Sequence, residues 1–464
     1  EEGVGNTGEK GGDEVEGLAD ALVKQTVSDW VEEEKGQVSG GIDPGDRSAA
    51  VNVLQADPTT PYYSVSTFEE LGLREELIQG IYAMKFNKPS KIQAASLPLI
   101  VAKPGTQRLN LIGQGHNGSG KTACFVLGML SVIDENQSVP QALCVVPTRE
   151  IARQIDGIVR VLGKFTKTRV LLAVPTDPKN TAGPRPFAAA ISEQIVVGTA
   201  GKVYDLIKTR KLGISDIKMF VLDEADQMVA TQGQGATTVR IKNSLPKDTQ
   251  VVLFSATFPD EVRSLAEKIA PGANRIEVKR EDLSLDRVKQ FYIDCKSSEN
   301  RYEVLSNIYS LLNLGQSVIF VGRVVEARRL TDRLRSEGHT VSVLHGTRDG
   351  MTIDQRDRVI DEFREGKTKV LVTTDVLSRG VDIMQVTGVI NYDLPVRMDT
   401  GKSDPETYLH RVGRTGRFGR SGIAINFVYD EVSRALLKEI SDYYQHKIEE
   451  TSEEALEREM QALQ

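Results

Sequence analysis

LNLIGQGHNGSGKTACFVLGML, residues 109–130, is the stretch whose reading decides the fold. An apolar run, a Gly-rich turn and a second apolar run follow one another without a break. The first run is strand-sized, and the second, from Ala123, has the length and composition of a helix. Between them lie Gly115, four intervening residues that include Gly118 and Ser119, and then Gly120, Lys121 and Thr122. Small residues let backbone N–H groups curl around a phosphate, and a helix start presents unpaired donors. Lys121 adds a compact positive charge and Thr122 a hydroxyl for Mg²⁺. The segment is therefore read as the phosphate loop of a nucleotide-triphosphate site in an α/β domain.

Such a loop needs an acidic partner for the metal. MFVLDEAD (219–226) places Asp223 and Glu224 directly after an apolar strand. Asp223 is the candidate Mg²⁺ ligand with Thr122, and Glu224 is positioned to orient or deprotonate the attacking water.

Around these two motifs the text alternates. QALCVVP (141–147), QIVVGT (194–199), IKMFVLDE (217–224) and TQVVLFSAT (249–257) are short apolar runs, separated by helical stretches such as residues 148–165. The second half repeats the pattern with QSVIFVG (316–322), HTVSVLHG (339–346), TKVLVTTD (368–375), VTGVINYDLP (386–395) and GIAINFVYD (422–430). Helices are expected near 324–337, 352–364 and 431–445 between them. Near-continuous apolar strands alternating with helices are the mark of parallel sheets covered on both faces. The chain reads as an acidic extension (1–61), a first α/β domain (62–277), a charged linker (278–290) and a second domain (291–464), with QFYIDC (290–295) as an edge strand. A cleft between two such domains is the place to look for chemistry.

Composition narrows the function classes. The chain has 464 residues, 39% hydrophobic and 27% charged, which suits two or three soluble domains. No apolar run approaches the roughly 20 residues that span a membrane. Three scattered cysteines and five histidines show no disulfide framework or metal-ligand spacing. The net charge of −7 conceals a division: residues 1–50 carry −9 and residues 431–464 carry −5, so the body between them is +7. A basic body suits a polynucleotide partner. Within the acidic start, GLADALVKQTVSDWV (17–31) sets Leu18, Leu22, Val27 and Trp30 near one helical face, and a helix docking on the body is expected there.

Asp223-Glu224-Ala225-Asp226, the SAT of Ser255–Thr257 and HRVGRTGR (410–417) occur in an order that resembles the DEAD-box RNA helicases, ATP-driven RNA-remodelling enzymes with two recombinase-like domains. The resemblance covers about residues 62–445. It is closest to the messenger-RNA-export branch through YYSVSTFEELGL (62–73), FNKPSKIQ (86–93), GQG (233–235) and DPETYLHRVGRTGRFGRSG (404–422). It implies that Phe86 stacks on adenine and Gln93 reads its edge, that Asp382 contacts the ribose, and that Arg414 and Arg417 reach the γ-phosphate from the second domain. It implies that Ser255, Thr257, Asp226 and His410 couple the phosphate site to domain closure. RNA-backbone contacts are implied at Pro147, Thr148, Arg149, Thr199, Gly201, Arg323, Gly346, Arg358 and Thr374, with His345 and Gln355 nearby.

The chain departs from the family pattern at Lys85, Gly115, Asn117, Ile151, Ala200 and Lys202, and no glycine-pair motif stands out in residues 173–186. The resemblance implies two tandem mostly parallel sheets flanked by helices, behind a partly disordered extension. It implies a monomeric RNA-stimulated ATPase using ATP and Mg²⁺, separating short duplexes or remodelling ribonucleoproteins in messenger RNA export. Implied partners are single-stranded RNA or short duplexes, a HEAT-like activator with inositol hexakisphosphate, and nuclear-pore proteins, at the cytoplasmic face of the pore. A DNA-directed translocase and an ATP-gated RNA clamp with little turnover remain the alternatives.

Overall fold

The computed structural model describes residues 51–54, 64–101, 108–115, 119–175, 190–231, 233–278, 288–311, 315–346, 350–375, 386–397, 400–415 and 422–461. The helix expected at 17–31 lies outside them.

The first domain is built on an eight-stranded sheet in the order β1-β8-β2-β7-β6-β3-β5-β4. Its strands are Val51–Leu54 (β1), Leu111–Gln114 (β2), Ala142–Val146 (β3), Val170–Ala173 (β4), Ile195–Thr199 (β5), Met219–Leu222 (β6), Gln250–Ser255 (β7) and Asn274–Val278 (β8). All pair in parallel except β1, which runs antiparallel along β8. Residues 51–54, read from sequence as part of the acidic extension, thus belong to this sheet.

The sheet is covered on both faces, which is why its strands are apolar throughout. Along β3, Ala142, Cys144 and Val146 enter one core while Leu143 and Val145 enter the other. Each fully buried Val or Leu contributes about 1.5–3 kcal/mol over exposure.

The second domain carries seven parallel strands in the order β11-β12-β10-β13-β14-β9-β15. They are Val288–Asp294 (β9), Gln316–Phe320 (β10), Val341–Leu344 (β11), Val370–Thr373 (β12), Val386–Asn391 (β13), Gly422–Val428 (β14) and Glu449–Glu450 (β15). The QFYIDC strand was expected at the edge. It lies one place in, because the two-residue β15 pairs along its outer side. It also begins at Val288, within the stretch read as linker.

Parallel pairing puts the carboxyl ends of the strands on one rim of each sheet, where open α/β sheets bind ligands. In the first domain β2, β7 and β6 are adjacent and end at Gln114, Ser255 and Leu222, so the phosphate loop, SAT and Asp223-Glu224 share one part of the rim. Neighbouring β3 and β5 end at Val146 and Thr199, next to Pro147, Thr148 and Gly201. The strand order alone separates the triphosphate motifs from the first-domain RNA motifs. In the second domain β10, β12 and β11 are likewise adjacent and lead into Arg323, Thr374 and Gly346.

Candidate active site between the two domains

The phosphate loop is closed at its helix end by the segment that precedes it. Gly120 caps helix α3 (Lys121–Val132) at φ 94°, a conformation that favours glycine. A side chain there would also strike Gln93, since a Cβ would lie 2.5 Å from its Nε2. Gln93 sits in a capping box with Ser90 at the start of α2 (Lys91–Ile100). Its Oε1 accepts from Ser90 N at 2.9 Å and its Nε2 donates to the Gly120 carbonyl at 3.3 Å. That leaves one amide hydrogen and one lone pair for a base edge. Phe86 is partly buried against the first-domain core. Lys85 before it has φ 58°, so the family's glycine is replaced at a position that needs a left-handed backbone.

Lys121 is buried and its Nζ donates to the Gly115 carbonyl at 2.6 Å. Thr122 follows it in the first turn of α3, and Ser119 is fixed through its carbonyl, which accepts from Ser90 Oγ at 2.7 Å. Gly118 lies outside the described residues.

Asp223 and Glu224 follow β6, and both are buried. Burial, with the Glu224 carboxylate beside it and Lys121 opposing, pushes the Asp223 carboxyl up to about 7 from an ordinary 3.8. Glu224 caps the short helix α6 (Ala225–Ala230) with φ 53° and ψ 52°. Its N–H donates to Asp223 Oδ1 at 3.0 Å, while its Oε2 is buried without a hydrogen-bond partner among the described residues. Two crowded carboxylates, one with an unmet oxygen, opposed by the Lys121 ammonium are a set that suits Mg²⁺ and phosphate.

Asp226 is the crossing point between domains. Its N–H donates to Ser255 Oγ at 3.1 Å, and its Oδ2 accepts from Thr257 N at 3.1 Å and Thr257 Oγ1 at 2.8 Å. The same oxygen lies 3.2 Å from Nε2 of His410, on helix α12 (Pro405–Val412) of the second domain. One helical turn on, Arg414 is buried, with Nε donating to the His410 carbonyl at 3.0 Å. Burial lowers its pKa to about 10, against the supporting charge of Glu224 across the cleft. Glu224, Asp226 and His410 offer ligand atoms within 4.8 Å of one another. An imidazole is a poor ligand for the oxygen-seeking Mg²⁺, and this cluster is better described as the domain contact. Arg417 and Asp382 lie outside the described residues.

Sequence reasoning assigned no role to Arg411, which the structure buries at the heart of this region. Its Nε donates to Asp375 Oδ1 at 2.8 Å, and its Nη1 donates to Asn391 Oδ1 at 3.1 Å and to the Asp393 carbonyl at 2.7 Å. The arginine-rich HRVGRTGR was visible, but nothing in its spacing distinguishes an inward arginine from one aimed at phosphate.

The RNA candidates line the rims. Thr148 caps α4 (Arg149–Leu162), accepting from Ile151 N at 3.4 Å, and Thr199 caps α5 (Ala200–Lys208), in whose first turn Gly201 is exposed. The Pro147 carbonyl accepts from Gln234 Nε2 at 3.2 Å, which gives the central residue of GQG a physical task. Arg323 is exposed at the start of α10 (Val324–Ser336), and Arg358 is exposed on α11 (Ile353–Arg364). Gly346 accepts from buried His345, and Thr374 follows β12.

Arg149 departs from a pure RNA role, because its Nη2 lies 3.4 Å from Asp357 Oδ2 on α11 of the other domain. Arg153 meets the same oxygen at 2.7 Å, and Glu150 pairs with Arg356 at 3.0 Å. These crossing ion pairs were not legible in sequence, since both helices look like ordinary charged faces.

The DEAD/DEAH box helicase family matches residues 90–265, and the helicase conserved C-terminal domain matches residues 300–419. ATP-dependent RNA helicase DBP5 of Lodderomyces elongisporus is 51% identical over 391 residues, covering 84% of this chain and 74% of that protein. The solved structure of S. cerevisiae Dbp5 bound to RNA and ADP BeF3 is 45% identical, covering 86% of this chain and 100% of that one, with a TM-score of 0.79. A substituted S. cerevisiae Dbp5 bound to Nup159, Gle1, IP6 and ADP is 44% identical, covering 84% and 99%, with a TM-score of 0.62.

Proposed function

The chain belongs to the DEAD-box RNA helicases, alongside the Dbp5 proteins, and from that membership we propose that it closes on ATP and RNA together, hydrolysing the one to release the other. It is an ATP-dependent RNA helicase of messenger RNA export, acting by local duplex separation or ribonucleoprotein remodelling. The observation that carries the site assignment is the cross-domain junction: His410 on Asp226, with Arg414 buried beside Glu224.

The residues divide the work. Lys121 and the N–H groups at the start of α3 hold the phosphates, with Lys121 exchanging the Gly115 carbonyl for phosphate oxygen. Thr122 and Asp223 would hold Mg²⁺, which would supply charge neutralisation at the phosphates when bound. Glu224, with its unmet Oε2, orients the water and accepts its proton. Arg414 spreads the negative charge of the transferring phosphoryl group, and it is in place only when the second domain has closed. Asp226, shared by SAT and His410, ties that closure to the phosphate site. The rim residues of both domains contact backbone rather than bases, so RNA is gripped with little sequence preference.

The better superposition on the RNA- and ADP BeF3-bound relative than on the Gle1-, Nup159- and IP6-bound one supports a closed arrangement here. By the same kinship the chain works at the cytoplasmic face of the nuclear pore, with a Gle1-like HEAT protein, inositol hexakisphosphate and a Nup159-like nucleoporin as partners. Steady-state phosphate release with no nucleic acid, with single-stranded RNA and with matched DNA tests the reading. RNA is expected to raise turnover and DNA to do so far less. Equal stimulation by DNA points to a DNA translocase, and ATP-dependent RNA retention without turnover points to a clamp.

A further inference from the structure

The second domain contains an ion pair that neither the phosphate nor the RNA assignment uses. Arg301 opens helix α9 (Arg301–Leu311), and its guanidinium carbon lies 4.3 Å from the ring centroid of Tyr392 and 4.4 Å from that of Tyr429. Its Nη1 donates to Asp393 Oδ1 at 2.6 Å, and its Nε and Nη2 donate to the carbonyl and hydroxyl of Ser298 at 3.2 and 3.0 Å. A planar group in contact with two aromatic rings and hydrogen-bonded through Nε, Nη1 and Nη2 is held in orientation, so it fixes the carboxylate it binds.

That carboxylate is shared. Asp393 Oδ2 accepts the N–H of Gly322 at 2.8 Å, and Gly322 immediately precedes Arg323, the RNA candidate at the start of α10. The Asp393 carbonyl accepts from Arg411 Nη1 at 2.7 Å, and Arg411 also holds Asp375, the neighbour of Thr374. Beside Arg411 on α12 is His410, and three residues further is Arg414. Asp393 therefore touches the RNA-side loop with its side chain and the phosphate-side helix with its backbone.

We propose that the Arg301–Asp393 pair is a positioning element that couples RNA engagement at Arg323 and Thr374 to the helix carrying His410 and Arg414, so that RNA accelerates ATP turnover through it. The proposal rests on the RNA-stimulated ATPase reading given above. The charge matters as well as the shape, because hydrogen bonds to an ionised carboxylate are roughly twice as strong as neutral ones. Asp393→Asn keeps the outline and an acceptor for Gly322 while removing the charge. Arg301→Lys keeps the charge and removes the planar group.

The test is ATP turnover of the full chain carrying Asp393→Asn, Arg301→Lys or both, with and without saturating single-stranded RNA. Without RNA each variant should stay within about twofold of the parent, because Lys121, Asp223 and Glu224 are untouched. With RNA each single variant should lose at least about tenfold, and the double variant should be no worse than the more severe single one. Stimulation within twofold of the parent in both single variants overturns the proposal. A loss by the same factor with and without RNA also overturns it, since that is what a merely structural pair would give. If Asp393→Asn does not fold, Arg301→Lys decides alone. A parent that RNA does not stimulate at all refutes the functional reading itself, and the role of this pair with it.

Discussion

At the residue scale the informative side chain is Glu224, held at φ 53° where an L residue pays about 1–2 kcal/mol. Strain of this kind persists where the surroundings over-determine it, and here it aims a carboxylate with an unmet oxygen into the cleft. Glu224→Gln preserves size and backbone while removing the base. Hydrolysis should fall by roughly 10² to 10⁴ with ATP and RNA binding retained, a range typical of general-base loss. Turnover near that of the parent in a single-turnover assay would remove Glu224 from the mechanism. Its neighbour gives a pH prediction. Asp223 titrates near 7 when folded and near 3.8 ordinarily, so between those values the folded state holds more protons than the unfolded one. Stability of the nucleotide-free protein therefore falls as pH rises through that window and is flat above it. Asp223→Asn removes the penalty, and should stabilise by on the order of a few kcal/mol at pH 8 but by less at pH 5. Urea unfolding at the two pH values checks this, and an equal gain at both would mean that ionisation of Asp223 is not the cause.

At the scale of elements, the closed cleft is fastened by α4 of the first domain and α11 of the second. Glu150–Arg356 and Arg149/Arg153–Asp357 run in opposite senses, so neither helix can slide or tilt without breaking a pair. Glu150 and Arg356 are largely buried, and removing one partner of a buried pair typically costs about 3–5 kcal/mol. Glu150→Arg should therefore weaken RNA binding in the presence of a non-hydrolysable ATP analogue by at least about tenfold. Adding Arg356→Glu should restore most of it. Failure of the swap to restore, in fluorescence titrations of the two variants, would show that the pair does not fasten the domains. These pairs also mark where sequence stops. The phosphate loop, Asp223-Glu224 and the strand pattern were legible because each depends on residues close together in the chain, with a local period or spacing. The clasp, Arg411 and the Arg301–Asp393 pair join residues up to 208 positions apart. An arginine on a charged helix reads the same whether it faces water, phosphate or another domain. Strand Val51–Leu54 was missed for a related reason: four residues inside an acidic, Gly-rich stretch become a strand only because β8 offers an edge.

At the scale of the whole molecule the charge distribution sets up a competition. Residues 1–50 carry −9 and the body between the acidic ends carries +7, so the first segment has the charge to rival RNA phosphates for the basic rims. The stripe of Leu18, Leu22, Val27 and Trp30 offers it an apolar anchor, and the inhibitory role that resemblance to the export branch implies for residues 17–31 is proposed here with charge as its physical basis. Deleting residues 1–50 should raise ATPase activity at low RNA concentration and change it less at saturating RNA, because a competitor is displaced by excess ligand. The gain should shrink as salt rises, since the Debye length falls to about 8 Å at 0.15 M. Replacing Leu22 and Trp30 by Ser in the full chain should reproduce part of the gain without altering the charge, which separates anchoring from simple electrostatic repulsion. RNA-dependence curves that coincide for full and shortened chains at low salt would leave the segment with no inhibitory role. Curves that separate, but by the same factor at low and high salt, would assign the inhibition to the apolar stripe alone.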